Sequence, residues 1–341
     1  MKLSWFRQTL VCRHPFATAH GVEPPKETIV VAIEHEGIVG YGEAIPTALY
    51  GQSLASAEAT LSAARDLLGD DPFAIESTVD RLLERFDDQR ATVCALDAAL
   101  HDWVGKRLDT PTWRLLGVDP AAMPITSFTI GVDDLDAIET KVREADAYPT
   151  LKVKIGTDQE EQILSIVRRL APDKTVRVDA NTGWSADDAD ARLRRAAEYG
   201  VEFVEQPVPV GDHETLGRLT AADVVPIIVD ESAIVPADVA PLAGRVDGIN
   251  IKLSKAGGIR EAYRMIAIAR SLGMRVMLGC MIESSLGIAA AAQLAPLADY
   301  IDLDGHLLLA NDPYDGIGGA RGRLTLTERP GLGVAPRASL A

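Results

Sequence analysis

From residue 123 onward the chain alternates. Short β-branched runs at 125–130, 151–154, 176–179, 203–205, 227–230, 248–252, 275–278 and 300–304 are separated by helical patterns such as 158–170, 186–199 and 259–272. One strand–helix unit recurs about every 25 residues. Strands separated by helices run parallel, and eight of them are the number that closes a barrel. An open doubly wound sheet would share the alternation.

The first 120 residues have another texture. Runs at 27–34 (ETIVVAIE) and 39–44 (VGYGEA) flank the turn Glu36-Gly37 and read as a hairpin. The Pro- and Gly-rich stretch 14–25 reads as a long loop, and 45–52 as a second. Ser53 is placed to cap a helix running to about residue 68, and helical patterns follow at 72–86 and 92–107.

In a parallel barrel, chemistry gathers where the strands end. Those ends carry Lys154, Asp179, Glu205, Asp230, Lys252 and the pair Asp302/Asp304. Asp179, Glu205 and Asp230 lie 26 and 25 residues apart, one per consecutive unit. Three hard oxygen donors on one arc of the rim suit Mg2+; zinc is disfavoured because no His or Cys joins the set. Each acid alone could equally cap a helix or face a solvated turn.

The lysines add direction. In TLKVKIG, Lys152 and Lys154 share a strand face, a pairing that needs carboxylates or an anionic ligand opposite, or else a solvated sheet edge. Strands two and six are diametric in a ring of eight, so Lys154 and Lys252 face each other across the mouth. Such a pair can take a proton from one face of a carbon and return it to the other. One amine must then be neutral, and Lys152 together with the metal would lower the pKa of Lys154. The metal would hold a substrate carboxylate and stabilise the enediolate left by proton loss. Asp302 and Asp304, on one face of strand eight, would attract an ammonium. A short peptide has all three features.

Taken together, Lys-Val-Lys154, Asp179-Ala-Asn181, Glu205-Gln-Pro207, Asp230-Glu-Ser232, Asn250-Ile-Lys252, Gly279-Cys-Met-Ile-Glu283 and Asp302-Leu-Asp304 resemble the enolase superfamily. Within it the likeness is to the dipeptide epimerases of the muconate-lactonising-enzyme subgroup. Sites of that superfamily pair a Lys or His base with Mg2+. The resemblance implies an α/β fold, a modified TIM barrel (β/α)7β over about 121–312. An N-terminal α+β capping domain, 1–120, would be completed by the Gly/Pro-rich tail, about 313–341. It also implies Asp179, Glu205 and Asp230 as metal ligands and Lys154 and Lys252 as acid/base catalysts. Lys152 would lie by the substrate carboxylate and Asp302/Asp304 by the dipeptide ammonium. Met281, Glu283 and Thr129 would line the site. Members acting on Ala-Glu carry an arginine in the first loop, at a place that aligns near Gly21, beside His20. No arginine lies between His14 and Pro25, so strict Ala-Glu specificity is not expected. The loops 19–22 and 49–52, with His306, would set the preference.

A cycloisomerase or o-succinylbenzoate synthase of the same subgroup is an alternative, but its substrate lacks an ammonium for the strand-eight pair. A dehydratase would want a histidine near strand seven, where Gly279-Cys280 stands. A barrel that binds peptides without turnover leaves the facing lysines unexplained. Gly257-Gly258 lacks the dinucleotide fingerprint spacing. A net charge of −16 argues against nucleic acid and anionic membrane as partners. Cys12, Cys94 and Cys280 form no disulfide or zinc pattern, and the N-terminus has no long apolar run, so a cytoplasmic setting is expected. The resemblance implies a homo-oligomer.

Overall fold

The computed structural model describes residues 1–18 and 21–337. Strand β1 (Lys2–Leu10) leads into a two-stranded ribbon, β2 (Phe16–Thr18) and β3 (Gly21–Glu23). The stretch 14–25 is therefore not a plain loop. Each half of the ribbon is three residues long, too short to show a period of two. Strands β4 (Lys26–His35) and β5 (Ile38–Ala44) complete an antiparallel sheet of order β1–β4–β5. Glu36 and Gly37 turn between them with φ of 51° and 77°, as a tight two-residue hairpin requires.

Helix α1 (Leu54–Ala64) starts at the reciprocal Ser53/Ser56 cap and is shorter than the expected helix to 68. Helices α2 (Ile75–Phe86) and α3 (Arg90–Arg107) follow. The alternation of β4 divides its apolar residues between two cores. Ile29, Val31 and Ile33 pack with Leu61, Val79, Leu82 and Leu96, whereas Val30 joins the barrel core.

A short helix α4 (Thr112–Leu115) precedes the barrel. Its order is β6 (Phe128–Ile130), α5 (Leu135–Glu144), β7 (Thr150–Lys154), α6 (Glu160–Leu170), β8 (Thr175–Asp179), α7 (Ala189–Glu198), β9 (Val201–Glu205) and α8 (His213–Ala221). It continues with β10 (Ile227–Val229), α9 (Pro236–Leu242), β11 (Gly248–Lys252), α10 (Leu253–Ala256), α11 (Ile259–Ser271), β12 (Arg275–Gly279), α12 (Ser285–Ala292) and β13 (Tyr300–Asp302). The eight strands run parallel in sequence order, and a bridge between Thr126 and Ile301 brings the last beside the first. Among the described residues no α-helix follows β13; a 3-10 turn, Gly305–Leu308, takes its place. The fold is thus a (β/α)7β barrel with an N-terminal antiparallel-sheet domain. Strand β6 starts at Phe128 rather than 125, because Thr126 and Ser127 bond to Gly322 and Ile301 instead of to β7.

The lumen is layered. Phe203, Ile228 and Met277 fill its floor with Tyr300, and the Arg177 guanidinium lies 5.3 Å and 5.0 Å from the Phe203 and Tyr300 ring centres. Above that cation the inward side chains turn charged.

Two acids of the first domain hold it onto the barrel. Asp97 on α3 accepts from Ile259 N (2.6 Å), capping α11. Glu43, ending β5, accepts from Ser284 Oγ (2.6 Å), Ser284 N (3.1 Å) and Gly287 N (3.2 Å) at the start of α12. Beyond the barrel, Leu332 N donates to Asp102 Oδ1 on α3 (2.9 Å) and Thr112 N to Gly331 O (2.9 Å).

Candidate active site

Parallel register places the predicted residues on one rim. Lys154 is paired with Asp179, Asp179 with Glu205, and Lys252 with Gly279, which pairs with Asp302. Asp230 directly follows β10. β7 and β11 stand four places apart in the ring, so Lys154 and Lys252 enter the mouth from opposite walls. Both line one cavity of about 690 Å3 with Lys152, Asp230, Thr129, Met281, Asp302 and Asp304. Asp179 and Glu205 lie fully buried beneath it.

Lys152 is the hub. Only 2% exposed, its ammonium lies 2.7 Å from Asp302 Oδ2, 2.7 Å from Glu205 Oε2 and 3.0 Å from Asp179 Oδ2. Burial alone would lower its pKa, but Asp179, Asp302 and Glu205 together raise it well above the usual lysine value. Lys152 is thus a fixed cation, and the sheet-edge reading of the lysine pair is excluded by its burial. Lys154 donates to Asp179 Oδ2 (2.7 Å) and Asn181 Oδ1 (3.1 Å). Lys252 lies 2.8 Å from Asp230 Oδ2; against the lowering effect of burial, Asp230 raises its pKa.

Among the described residues no three acids converge on one point as a ready metal cluster, because ammonium groups stand between them. The donor set nevertheless fits a hard cation. Glu205 Oε2 is buried, out of line for a hydrogen bond from Lys152, and has no hydrogen-bond partner. Burial, and then the charge of Asp179, push the Glu205 carboxyl up to about 7. A carboxylate so placed gains from a further positive charge. Its other oxygen is already oriented, accepting from Asn250 Nδ2 at 2.7 Å.

Strand eight differs from expectation. β13 ends at Asp302, and Asp304 has left the strand, with φ −106° and ψ 2°. The two are not alternate residues of one strand face. Asp304 Oδ2 instead accepts from Thr129 N (2.6 Å), replacing the ladder bond β6 would otherwise lack. Both side chains still reach the cavity. Asp302 is held by Lys152 and by Ser127 Oγ (2.7 Å), while burial and the Asp302 charge raise Asp304 to about 7.

Three other expectations need correction or fall outside the structure. Glu283 does not line the cavity; it turns back to accept from Met281 N (2.8 Å) and lies beside Glu43. His306 is buried elsewhere, donating from Nε2 to Gly318 O (2.7 Å). Gly21 lies in β3, and His20 lies outside the described residues.

The sequence reading missed Lys255, gave no role to Asn250 and Glu231 within their motifs, and covered Tyr50 only as part of the loop 49–52. Lys255 is one turn past Lys252, on the first turn after β11, and donates to Asp230 O (2.6 Å) and to Asp230 Oδ1. Its i, i+3 spacing from Lys252 was the available signal. Tyr50, from the second loop, lines the cavity; burial and then the charge of Asp230 raise its phenol well above its ordinary value, so it stays neutral.

The chain is also similar to known proteins. Residues 4–117 match the mandelate racemase / muconate lactonizing enzyme N-terminal domain, and residues 136–340 the enolase C-terminal domain-like family. The L-Ala-D/L-Glu epimerase of Bacteroides thetaiotaomicron is 38% identical over 98% of this chain and 88% of its own. A hydrophobic dipeptide epimerase of a Flavobacteria bacterium is 37% identical over 98% of both. The crystal structure of a dipeptide epimerase from Methylococcus capsulatus, complexed with Mg and L-Arg-D-Lys, superposes with a TM-score of 0.92 at 34% identity, covering 98% of each chain.

Proposed function

The chain belongs to the mandelate racemase / muconate lactonizing enzyme family of the enolase superfamily, and from that premise we infer a Mg2+-dependent dipeptide epimerase. It is an isomerase that inverts the α-carbon of the C-terminal residue of a dipeptide, and it is not restricted to Ala-Glu. The observation that carries the reading is the pair of lysines on opposite walls of one cavity, above three buried acids.

In this reading Asp179, Glu205 and Asp230 hold the metal. When bound, Mg2+ supplies fixed positive charge that offsets the charge developing on the substrate carboxylate. One of Lys154 and Lys252 accepts the α-proton, and the other delivers a proton to the opposite face. The C–H bond broken on one side is replaced by one formed on the other, with inversion. Lys152 keeps the acids in register and presents positive charge to the carboxylate end. Asp302 and Asp304 receive the ammonium, which separates this reading from subgroup enzymes whose substrates lack one. Thr129 and Met281 contact the substrate. Three unpaired cysteines support a reducing, cytoplasmic setting. Among the described residues no helix is long and apolar enough to cross a membrane. We expect a homo-oligomer, which light scattering measures.

The test is a screen of L,L-dipeptide pools in D2O with Mg2+, read by mass spectrometry. Deuterium should enter one α-carbon, with the epimer appearing alongside. Lys154→Ala and Lys252→Ala should each abolish inversion while leaving exchange from one face. Absence of incorporation across broad pools would overturn the assignment.

A further inference from the structure

The two lysines are not held alike. Lys252 is paired with Asp230, an acceptor on both oxygens. Lys154 has Asp179 and, besides it, the amide of Asn181, whose Oδ1 accepts from Nζ at 3.1 Å. An amide is two-sided. Turned over, Asn181 would present N–H to Lys154 in place of oxygen. A neutral Lys154 would then receive that N–H on its lone pair, the electron pair needed to take a proton from substrate.

One side chain opposes the turn. Asn181 Nδ2 donates to Glu231 Oε1 at 3.2 Å, and Glu231 is 8% exposed. Turning the amide over would set its oxygen against that carboxylate. The backbone serves the same arrangement. Asn181 adopts φ 44°, a left-handed conformation that asparagine tolerates better than most residues, and its N–H donates to Asp179 Oδ1 (3.0 Å). The Glu231 carboxylate lines the cavity, and its second oxygen has no hydrogen-bond partner.

We propose that Asn181 and Glu231 are a positioning pair that keeps the lone pair of Lys154 free, so that Glu231 governs proton abstraction from one face of the substrate only. The proposal rests on the two-lysine reading above. Its readout is a difference between epimers, whereas failure of that reading would appear as absent exchange in the wild type.

The experiment measures α-deuterium incorporation in D2O separately from each epimer of one accepted dipeptide. Lys154→Ala and Lys252→Ala identify the epimer that each lysine deprotonates. Glu231→Leu, or Glu231→Ala should the leucine variant not fold, is expected to slow exchange from the Lys154 epimer by about tenfold or more. Exchange from the other epimer should stay within about twofold of wild type. Glu231→Gln keeps an oxygen for Asn181 Nδ2 and should restore most of the rate. Adding Asn181→Ala to Glu231→Leu removes the intruding donor and should also recover rate. Mg2+ affinity, measured by calorimetry without substrate, should be unchanged in the Glu231 variants. Equal slowing of both epimers, failure of the Gln variant to restore, or weakened Mg2+ binding would overturn the proposal.

Discussion

Lys255 shows how a residue that never reaches the cavity can set the site. It is fully buried, and besides Asp230 its ammonium donates to Ala233 O and Asn250 O, both at 3.3 Å. Burial lowers its pKa, and Asp230 opposes that. Asp230 itself is driven far below the usual carboxylate range by Lys252 and Lys255 acting against burial. Removing one member of a buried pair costs about 3–5 kcal/mol when the other charge is left alone, and less here because Asp230 keeps Lys252. Lys255→Met should therefore lower the denaturation midpoint and, by freeing Asp230 to reorient, weaken Mg2+ binding about tenfold or more. Calorimetric titration with Mg2+ checks the second effect at a temperature where the variant stays folded. Undiminished Mg2+ affinity would show that β10 alone orients Asp230.

At the scale of elements, the N-terminal sheet meets α3 at a distance that only glycine permits. A Cβ at Gly42 would lie 2.0 Å from Ala95 O, and one at Gly40 2.0 Å from Ala99 O. In both cases the obstacle is helix backbone, which cannot swing aside. Gly42→Ala should force β5 off α3 and cost about 1–3 kcal/mol or more, read as a fall in the thermal midpoint. Gly37→Ala, with nothing near its Cβ, should act only through its positive φ and cost less. Elements of this kind also mark what could be read beforehand. The barrel strands were legible because they alternate with helical patterns and six of the eight end at or just before a charge, and parallel register carries those ends to one rim. The ribbon β2/β3 was not, since three-residue strands carry no period. The exit of Asp304 from its strand was hidden because it depends on how β13 closes against β6. Glu283 misled because its place near a strand end is legible, but its turn back to accept from Met281 N, beside Glu43 from 240 residues earlier in the chain, is not.

That long-range proximity contributes to how the whole molecule responds to pH. Glu43 reaches from the N-terminal domain to α12, and Glu283 descends toward the same point. A Cβ on Gly287 would lie 2.5 Å from Glu283 Oε2 and 3.0 Å from Glu43 Oε2. Two carboxyl groups so close in a dry interface do not both ionise. Burial, with a contribution from Glu43, pushes Glu283 up to about 8, against an ordinary value of 4.5. Between those values the folded protein keeps a proton that the unfolded chain gives up. The associated stability is complete below about 4.5 and is lost as pH rises through about 8. The limiting slope is about 1.4 kcal/mol per pH unit for one proton. Glu283→Gln carries a neutral amide in the same place and has no proton to lose. Its thermal midpoint should fall less steeply than that of the wild type between pH 5 and 8, and should exceed it at pH 8. Parallel midpoint curves would mean that Glu283 is ionised across the range. The join between domains would then depend on Asp97 at α11 and on Glu43 bonding α12 alone.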